Sequence, residues 1–333
     1  MHKVHSIFAT MPLALATAVS AAPPEFHTQV AAGGPLLWFK FNEAPGSVVF
    51  VNSGSLGVAF NADVPAGAVL SAATPGGDGG VQVNGSAGQF MQSDADCPAS
   101  LTGDPTITCE AIVRIASNNS VSCGYPPFLY WGSNGTGRSV YFSLQHFSGV
   151  RPYVGFYNGG LRATCDQPMT RFIHLVWTHQ GGAGQWGGST LYVNGQAVST
   201  EHDDVLIGAP TIAVTASPFY INTATDCTRR FAGIIDEVVL YDRVLSANEV
   251  SAHFATLTLP KCAADVTGLG GSASCAADGS VTPDDLIVYL SAFFGGNLAI
   301  ADIASLGGNL LPDGQLTADD IIAFLSVFFA GCA

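Results

Sequence analysis

Two rhythms divide the chain. Up to about residue 258, short apolar runs alternate with glycine-rich turns, whereas beyond residue 262 apolar positions recur at helical spacing. In the first stretch, 36–42 reads LLWFKFN, 172–178 reads FIHLVWT and 234–241 reads IIDEVVLY, each a β-rich run bounded by turn residues. Leu191-Tyr192-Val193 meets Asn194-Gly195, a dipeptide suited to the two positive-φ positions of a tight hairpin. Leu245-Ser246-Ala247-Asn248-Glu249 reads as the start of a short helix. Many short strands between such turns predict an antiparallel β-sandwich over about residues 30–258, so the fold class is mainly β.

The second stretch is an internal repeat. Residues 278–296 read DGSVTPDDLIVYLSAFFGG and residues 313–331 read DGQLTADDIIAFLSVFFAG. Upstream, Ala264-Asp265-Val266 is echoed by Ala301-Asp302-Ile303, which places the two units at about 264–296 and 301–331. Leu286, Ile287, Leu290, Phe293 and Phe294 form one apolar stripe, and Ile321, Ile322, Leu325, Phe328 and Phe329 repeat it. Neither stripe can be buried alone, so the two helices are expected to pack on each other in a small all-α domain over 262–333.

The run D-G-x-[VL]-T-x-D-D before each helix has two readings. As helix caps, Thr282 and Thr317 take the N-cap position, Pro283 the first turn, and the aspartates complement the dipole. As the second half of a calcium loop, Asp278 takes position 5, Gly279 position 6, Thr282 position 9 and Asp285 position 12. Asp313, Gly314, Thr317 and Asp320 fit identically. Position 1 falls on Ser274 or Asn309, so a ligand role for Asp265 and Asp302 requires an insertion in each loop.

Composition narrows the function. Residues 262–333 carry eight aspartates and no Lys or Arg, and the whole chain has a formal charge of −14 with 11% charged residues. Without a basic stripe to neutralise phosphates, nucleic acid is not an expected partner. Lys3, an apolar stretch from Ile7 to about Val19, and the small residues Val19-Ser20-Ala21 predict a signal peptide over 1–21 and a secreted or cell-surface protein. No later segment reaches the ~20 apolar residues of a membrane-spanning helix. Export permits disulfides among the eight cysteines, and a pairing of Cys262 with Cys332 would clasp the ends of the C-terminal part.

The sandwich runs carry a recognisable order. Leu36–Asn42 followed by Gly54-Ser55, Phe172–Trp177 as a "W-H-x-V" strand with Phe at its head, Leu191–Gly195 as an "L-Y-V-D-G" hairpin, and Gly233–Val238 with Tyr241, Arg243 and Leu245-Ser246 together resemble a laminin-G-like jelly roll. That family is the concanavalin A-like sandwich, which includes lectins, adhesion domains and glucanases. The repeat over 262–332, ending in Gly331-Cys332, resembles a planctomycete-type dockerin. That resemblance implies calcium as cofactor and a cohesin-like or cell-surface anchoring partner.

A glucanase on this scaffold needs two carboxylates about 5 Å apart, and the E-x-D-x-x-E run that supplies them is absent. Asp236-Glu237 points to opposite faces of a strand, and no G-x-S-x-G occurs, so the chain is expected not to be an enzyme. Binding is the remaining class. Trp186, in the glycine-rich loop 180–189, could stack on a sugar or fold back over the sandwich edge; Trp131 and Tyr153 stand in the same position. Trp38 and Trp177 lie in strand runs and are expected in the core. His202-Asp203-Asp204 reads as a solvated turn, and Asp236 as a brace for a loop at the edge of the sandwich. The expected function is a secreted carbohydrate-binding or adhesion protein with an extracellular glycan or protein ligand; a structural surface protein or a component of polysaccharide breakdown is the alternative.

Overall fold

The computed structural model describes residues 24–331 apart from 73, 76–78, 87, 117–124, 146–149, 168–170, 185, 204–210, 226–229, 258–261, 269–270, 272–276, 278–279, 306, 309 and 311–313. Two antiparallel sheets form the body. One has eight strands, running Gln196–Ala197, Ser189–Val193, Phe172–His179, Ile107–Ile115, Ala232–Tyr241, Gly80–Asn84 and Val69–Ala72, with Leu37–Phe39 also paired to Ala232–Tyr241. The other has nine, running Thr200–Asp203, Gly159–Ala163, Arg151–Phe156, Ser139–Gln145, Pro127–Gly132, Pro218–Ile221, Met91–Asp96, Ala62–Asp63 and Val49–Phe50.

The inward faces of both sheets meet in one apolar core, with Phe39, Val113, Trp177 and Leu240 from the first against Trp131, Phe142, Val154 and Phe219 from the second. The hairpin signal of the sequence is realised: Asn194 and Gly195 have φ of 50° and 80°, and they join Val193 to Gln196. Glycine is required there, because a Cβ on Gly195 would lie 2.9 Å from Phe254. Asn194 also fixes the turn by accepting from the His174 N–H at 3.0 Å.

Two helices cover the outer face of the eight-stranded sheet. Ala247–Ala255 starts at a capping box between Ser246 and Glu249. Pro24–Ala32, which the sequence pattern did not predict, inserts Phe26 and Val30 one turn apart against Trp38, Val239, Tyr241 and Val250.

The repeat forms helices Pro283–Phe294 and Ala318–Ala330, with a short helix Leu298–Ala301 between them. They meet, but not through the whole predicted stripe. Tyr289 stacks on Phe324 with ring centroids 3.8 Å apart, while Leu286, Leu290, Phe293 and their counterparts are only partly covered. Ile287, Phe294, Ile322 and Phe329 are exposed, so an apolar arc wider than the contact leaves its far edge in solvent.

Candidate functional site

The outward face of the nine-stranded sheet collects tyrosines. Along Ser139–Gln145, Val140, Phe142 and Leu144 enter the core, so alternation turns Tyr141, Ser143 and Gln145 outward. Along Arg151–Phe156, Val154 and Phe156 point in and Arg151 and Tyr153 point out. Along Pro218–Ile221, Phe219 and Ile221 point in and Tyr220 points out. On Pro127–Gly132 the register slips between Pro127 and Leu129, which leaves Tyr130 outward and Trp131 inward.

Tyr130, Tyr141 and Tyr220 are thus cross-strand neighbours, with ring centroids 4.9 Å apart for Tyr130–Tyr141 and 6.0 Å for Tyr130–Tyr220. Tyr125 lies 4.4 Å from Tyr153, and Tyr157 lies 6.2 Å from Tyr141. The inner rings are buried, whereas Tyr125, Tyr157 and Tyr220 keep part of their surface in solvent. Gly160 makes room for this packing, because a Cβ there would lie 2.2 Å from the Tyr153 ring.

Each end of the tyrosine band is polar. At one end Arg151 donates to Asp166 at 3.0 Å and to Glu201 at 2.9 Å, while Arg162 donates to Glu201 at 2.7 Å and to Gln145 at 3.2 Å. Gln145 in turn faces the Tyr125 hydroxyl at 3.4 Å. At the other end, Gln92 pairs with Tyr220 across the strands and opens onto a groove lined by Asp63, Phe90 and Asp94.

The aromatic residues singled out by sequence fall in different places. Trp131 is corrected: its side chain is wholly buried and its indole N–H donates to the Leu101 carbonyl at 3.0 Å, so it is unavailable to a ligand. Tyr153 belongs to the outward face but is 7% exposed, a supporting ring rather than a loop platform. Trp186 is partly buried against the core and stacks on His202, with centroids 3.8 Å apart and planes at 14°. Asp236 does not stand at an edge; it is fully buried inside Ala232–Tyr241, beside a register shift that puts Glu237 at φ 52°. The tyrosines at 125, 130, 141, 157 and 220 were missed, since each sits on a separate segment and only sheet pairing unites them.

A second polar cluster lies on the opposite side of the sandwich, beneath the two helices. Glu110 accepts from His174 Nε2 at 2.7 Å, from His253 Nδ1 at 3.0 and 3.1 Å, and from the Tyr241 hydroxyl at 3.3 Å. Burial alone raises a carboxyl, but the two histidines outweigh it and hold Glu110 at about 2. Burial depresses His253, and the Glu110 charge more than compensates, leaving it raised. Glu237 similarly accepts from His27 at 2.6 Å and from the Trp38 indole at 2.6 Å. All of these carboxylates are fully buried, and they tie helices and strands to the sheet.

The proposed calcium ligands can be tested in part, since Asp278 and Asp313 lie outside the described residues, as does Cys332 of the expected Cys262–Cys332 pair. Asp285 Oδ1 accepts from the Val266 and Thr267 N–H groups at 2.8 and 3.0 Å, and Oδ2 from the Thr282 N–H and hydroxyl at 2.8 and 3.1 Å. Asp320 repeats the pattern with Ile303 and Ala304 at 3.0 and 2.9 Å, and Thr317 at 2.8 and 3.2 Å. Asp302 accepts from the Gly314 N–H at 2.6 Å, and Asp265 is buried. A carboxylate offers about four acceptor positions, and on Asp285 and Asp320 all four face donors. As arranged, these two do not fit calcium, and Thr282 and Thr317 act as helix caps. Among the described residues no cluster of His, Cys, Asp and Glu is set to hold a metal. Cys97 and Cys109 are free and buried.

Residues 86–251 match a family model, Laminin_G_3, described as the concanavalin A-like lectin/glucanases superfamily. This stretch is a concanavalin A-like jelly-roll domain. No curated protein matches the chain. Solved structures that resemble it include the binding domain of Paraclostridial Mosquitocidal Protein 1, at 12% identity and TM-score 0.47, covering 71% of this chain and 59% of that one. Trypanosoma rangeli sialidase aligns at 22% identity and TM-score 0.44, covering 68% and 33%. The botulinum neurotoxin type G receptor binding domain aligns at 13% and 0.40, covering 69% and 55%. The chain therefore spans between a third and three fifths of these proteins. The expectation that the chain is not an enzyme does not stand, because the superfamily matched over residues 86–251 includes glucanases as well as lectins. The match gives firm support to neither a catalytic nor a binding-only reading. No helix among the described residues is long and apolar enough to cross a membrane.

Proposed function

We propose that the jelly-roll domain binds carbohydrate on the outward face of its nine-stranded sheet. The observation that carries this reading is the band of packed tyrosines flanked by planar hydrogen-bonding groups, Arg151, Arg162, Glu201 and Gln145 at one end and Gln92 at the other. A sugar ring presents an apolar C–H face and a rim of hydroxyl pairs. Tyrosine supplies a rigid surface for the first and a hydroxyl for the second, and guanidinium, carboxylate and amide planes engage adjacent hydroxyls in pairs. The family's lectin members support the same reading.

The amino-terminal pattern supports secretion, so that the glycan is extracellular. By its resemblance to dockerins, the C-terminal repeat serves attachment to a cohesin-like or cell-surface protein, with Ile287, Phe294, Ile322 and Phe329 as its exposed apolar residues. Removing the part-exposed rings tests the binding site. On a glycan array, Tyr220→Ala and Tyr157→Ala are each expected to weaken binding about tenfold, ~1.4 kcal/mol. Unchanged glycan binding in both variants would remove the ligand from this face, and a protein ligand with no glycan bound would replace the reading by protein adhesion.

A further inference from the structure

The face also carries a statement about charge. Among the described residues, Arg151 and Arg162 face outward against Asp63, Asp94, Asp96, Asp166 and Glu201, so carboxylates outnumber guanidinium groups along the band. Both guanidinium groups are engaged. Arg151 bridges Asp166 and Glu201, and Arg162 bridges Glu201 and Gln145, so Glu201 sits between the two cations. At the opposite end, Asp63 and Asp94 are exposed around Phe90 and Gln92, and the guanidinium of the buried Arg230, which donates to Thr223, lies 5.2 Å over the Phe90 ring. The whole chain adds a field of the same sign, at −14.

The face is also long. From Gln92 through Tyr220, Tyr130, Tyr141, Tyr153 and Arg162 to Glu201 it crosses seven adjacent strands. At ~4.8 Å per step that is about 29 Å, the length of a chain of sugars rather than of one.

We infer that this face selects an uncharged oligosaccharide chain, lying across the strands, over an acidic one. The inference rests on the carbohydrate reading of the same face. A carboxylate or sulfate on the ligand would meet arginines whose charge Glu201 and Asp166 already offset, or would sit beside the exposed Asp63 and Asp94 at the other end. Hydroxyl groups need neither: they can donate to Glu201 and Asp166 and accept from the guanidinium edges without breaking the ion pairs. Negative charge on the ligand is thus opposed on the face, whereas hydrogen-bonding capacity is not.

The test is affinity electrophoresis of the full chain through gels containing neutral polysaccharides (laminarin, xyloglucan, galactomannan) or acidic ones (polygalacturonate, hyaluronan, heparin). Retention by at least one neutral polymer, at least tenfold stronger than by any acidic one at low salt, is the expected result. In parallel, Glu201→Gln releases a partner of both arginines, and it is expected to gain salt-sensitive retention by polygalacturonate. Retention of the wild-type chain by an acidic polymer, as strong as by a neutral one, overturns the inference and leaves the carbohydrate reading standing. Retention by none, with the jelly roll folded by circular dichroism, takes down the carbohydrate reading itself.

Discussion

Replacing Asp320 by Asn tests how the C-terminal repeat is held together. Asp320 is fully buried at the third position of its helix, where Oδ1 takes two backbone N–H groups and Oδ2 takes the N–H and hydroxyl of Thr317. Burial pushes its carboxyl up, yet the Thr317, Ala304 and Ile303 N–H groups outweigh it and leave it below the usual carboxylate range. Asparagine keeps the shape but turns an NH2 toward one pair of those donors. Two charge-assisted bonds at ~1.5–3 kcal/mol each are lost or weakened, so about 3 kcal/mol is the expected cost. For a unit of 60–100 residues each kcal/mol moves the midpoint by ~4–8 °C, so the transition of this segment should fall by roughly 12–24 °C. Calorimetry on the full chain, with hydrogen exchange at the Phe324 amide to identify the transition, measures it. Asp285→Asn should behave alike, because its four contacts are the same. Chelator should leave the wild-type transition where it is. A shift under ~2 °C in both variants, or a wild-type transition raised by calcium, refutes the reasoning. The depressed carboxyl also fixes the sign with pH: the stabilisation is present above the unfolded carboxylate pKa and lost as pH falls through the folded value.

Three further outcomes follow from the sandwich. Glu110→Gln breaks a buried charge cluster and should cost ~3–5 kcal/mol in urea unfolding, and a loss below ~1 kcal/mol would contradict the assigned role. In the wild type, Glu110 lies at about 2 and His253 is raised, so their stabilisation should be fullest between about pH 4.5 and 6.5. It falls toward acid as Glu110 is protonated, and toward alkali as His253 loses its proton, which unfolding midpoints measured across pH will show. Gly160→Ala places a Cβ against the Tyr153 ring, so a cost of ~1–3 kcal/mol with weakened glycan retention is expected, and equal retention would separate Tyr153 from the site.

Local signals in the sequence translated directly into structure. Asn194-Gly195 had to be a turn because two successive positive φ values suit few other pairs, and Ser246 with Glu249 had to begin a helix because each caps the other. The tyrosine band was not legible, because Tyr130, Tyr141 and Tyr220 are brought together by pairing between distant strands. Trp131 was misplaced for a related reason: alternation has period two, and the slip at Pro127–Leu129 decides which of two neighbouring rings turns inward. The helix Pro24–Ala32 carries only Phe26 and Val30 as buried anchors, too few to announce it without the sheet they cover. The calcium pattern put Asp285 and Asp320 at position 12, but spacing along a chain does not record where carboxylate lone pairs point, and here they face backbone and Thr donors.

The helices Pro24–Ala32 and Ala247–Ala255 touch one another on the same side of the sandwich, the side away from the tyrosines. The polypeptide therefore comes in and leaves through one door at the back. A unit with adjacent ends can be spliced into, or lifted out of, a longer polypeptide while its sheets keep their pairing. Whatever is joined at either end pulls on the rear wall, and the front stays turned outward to whatever it meets.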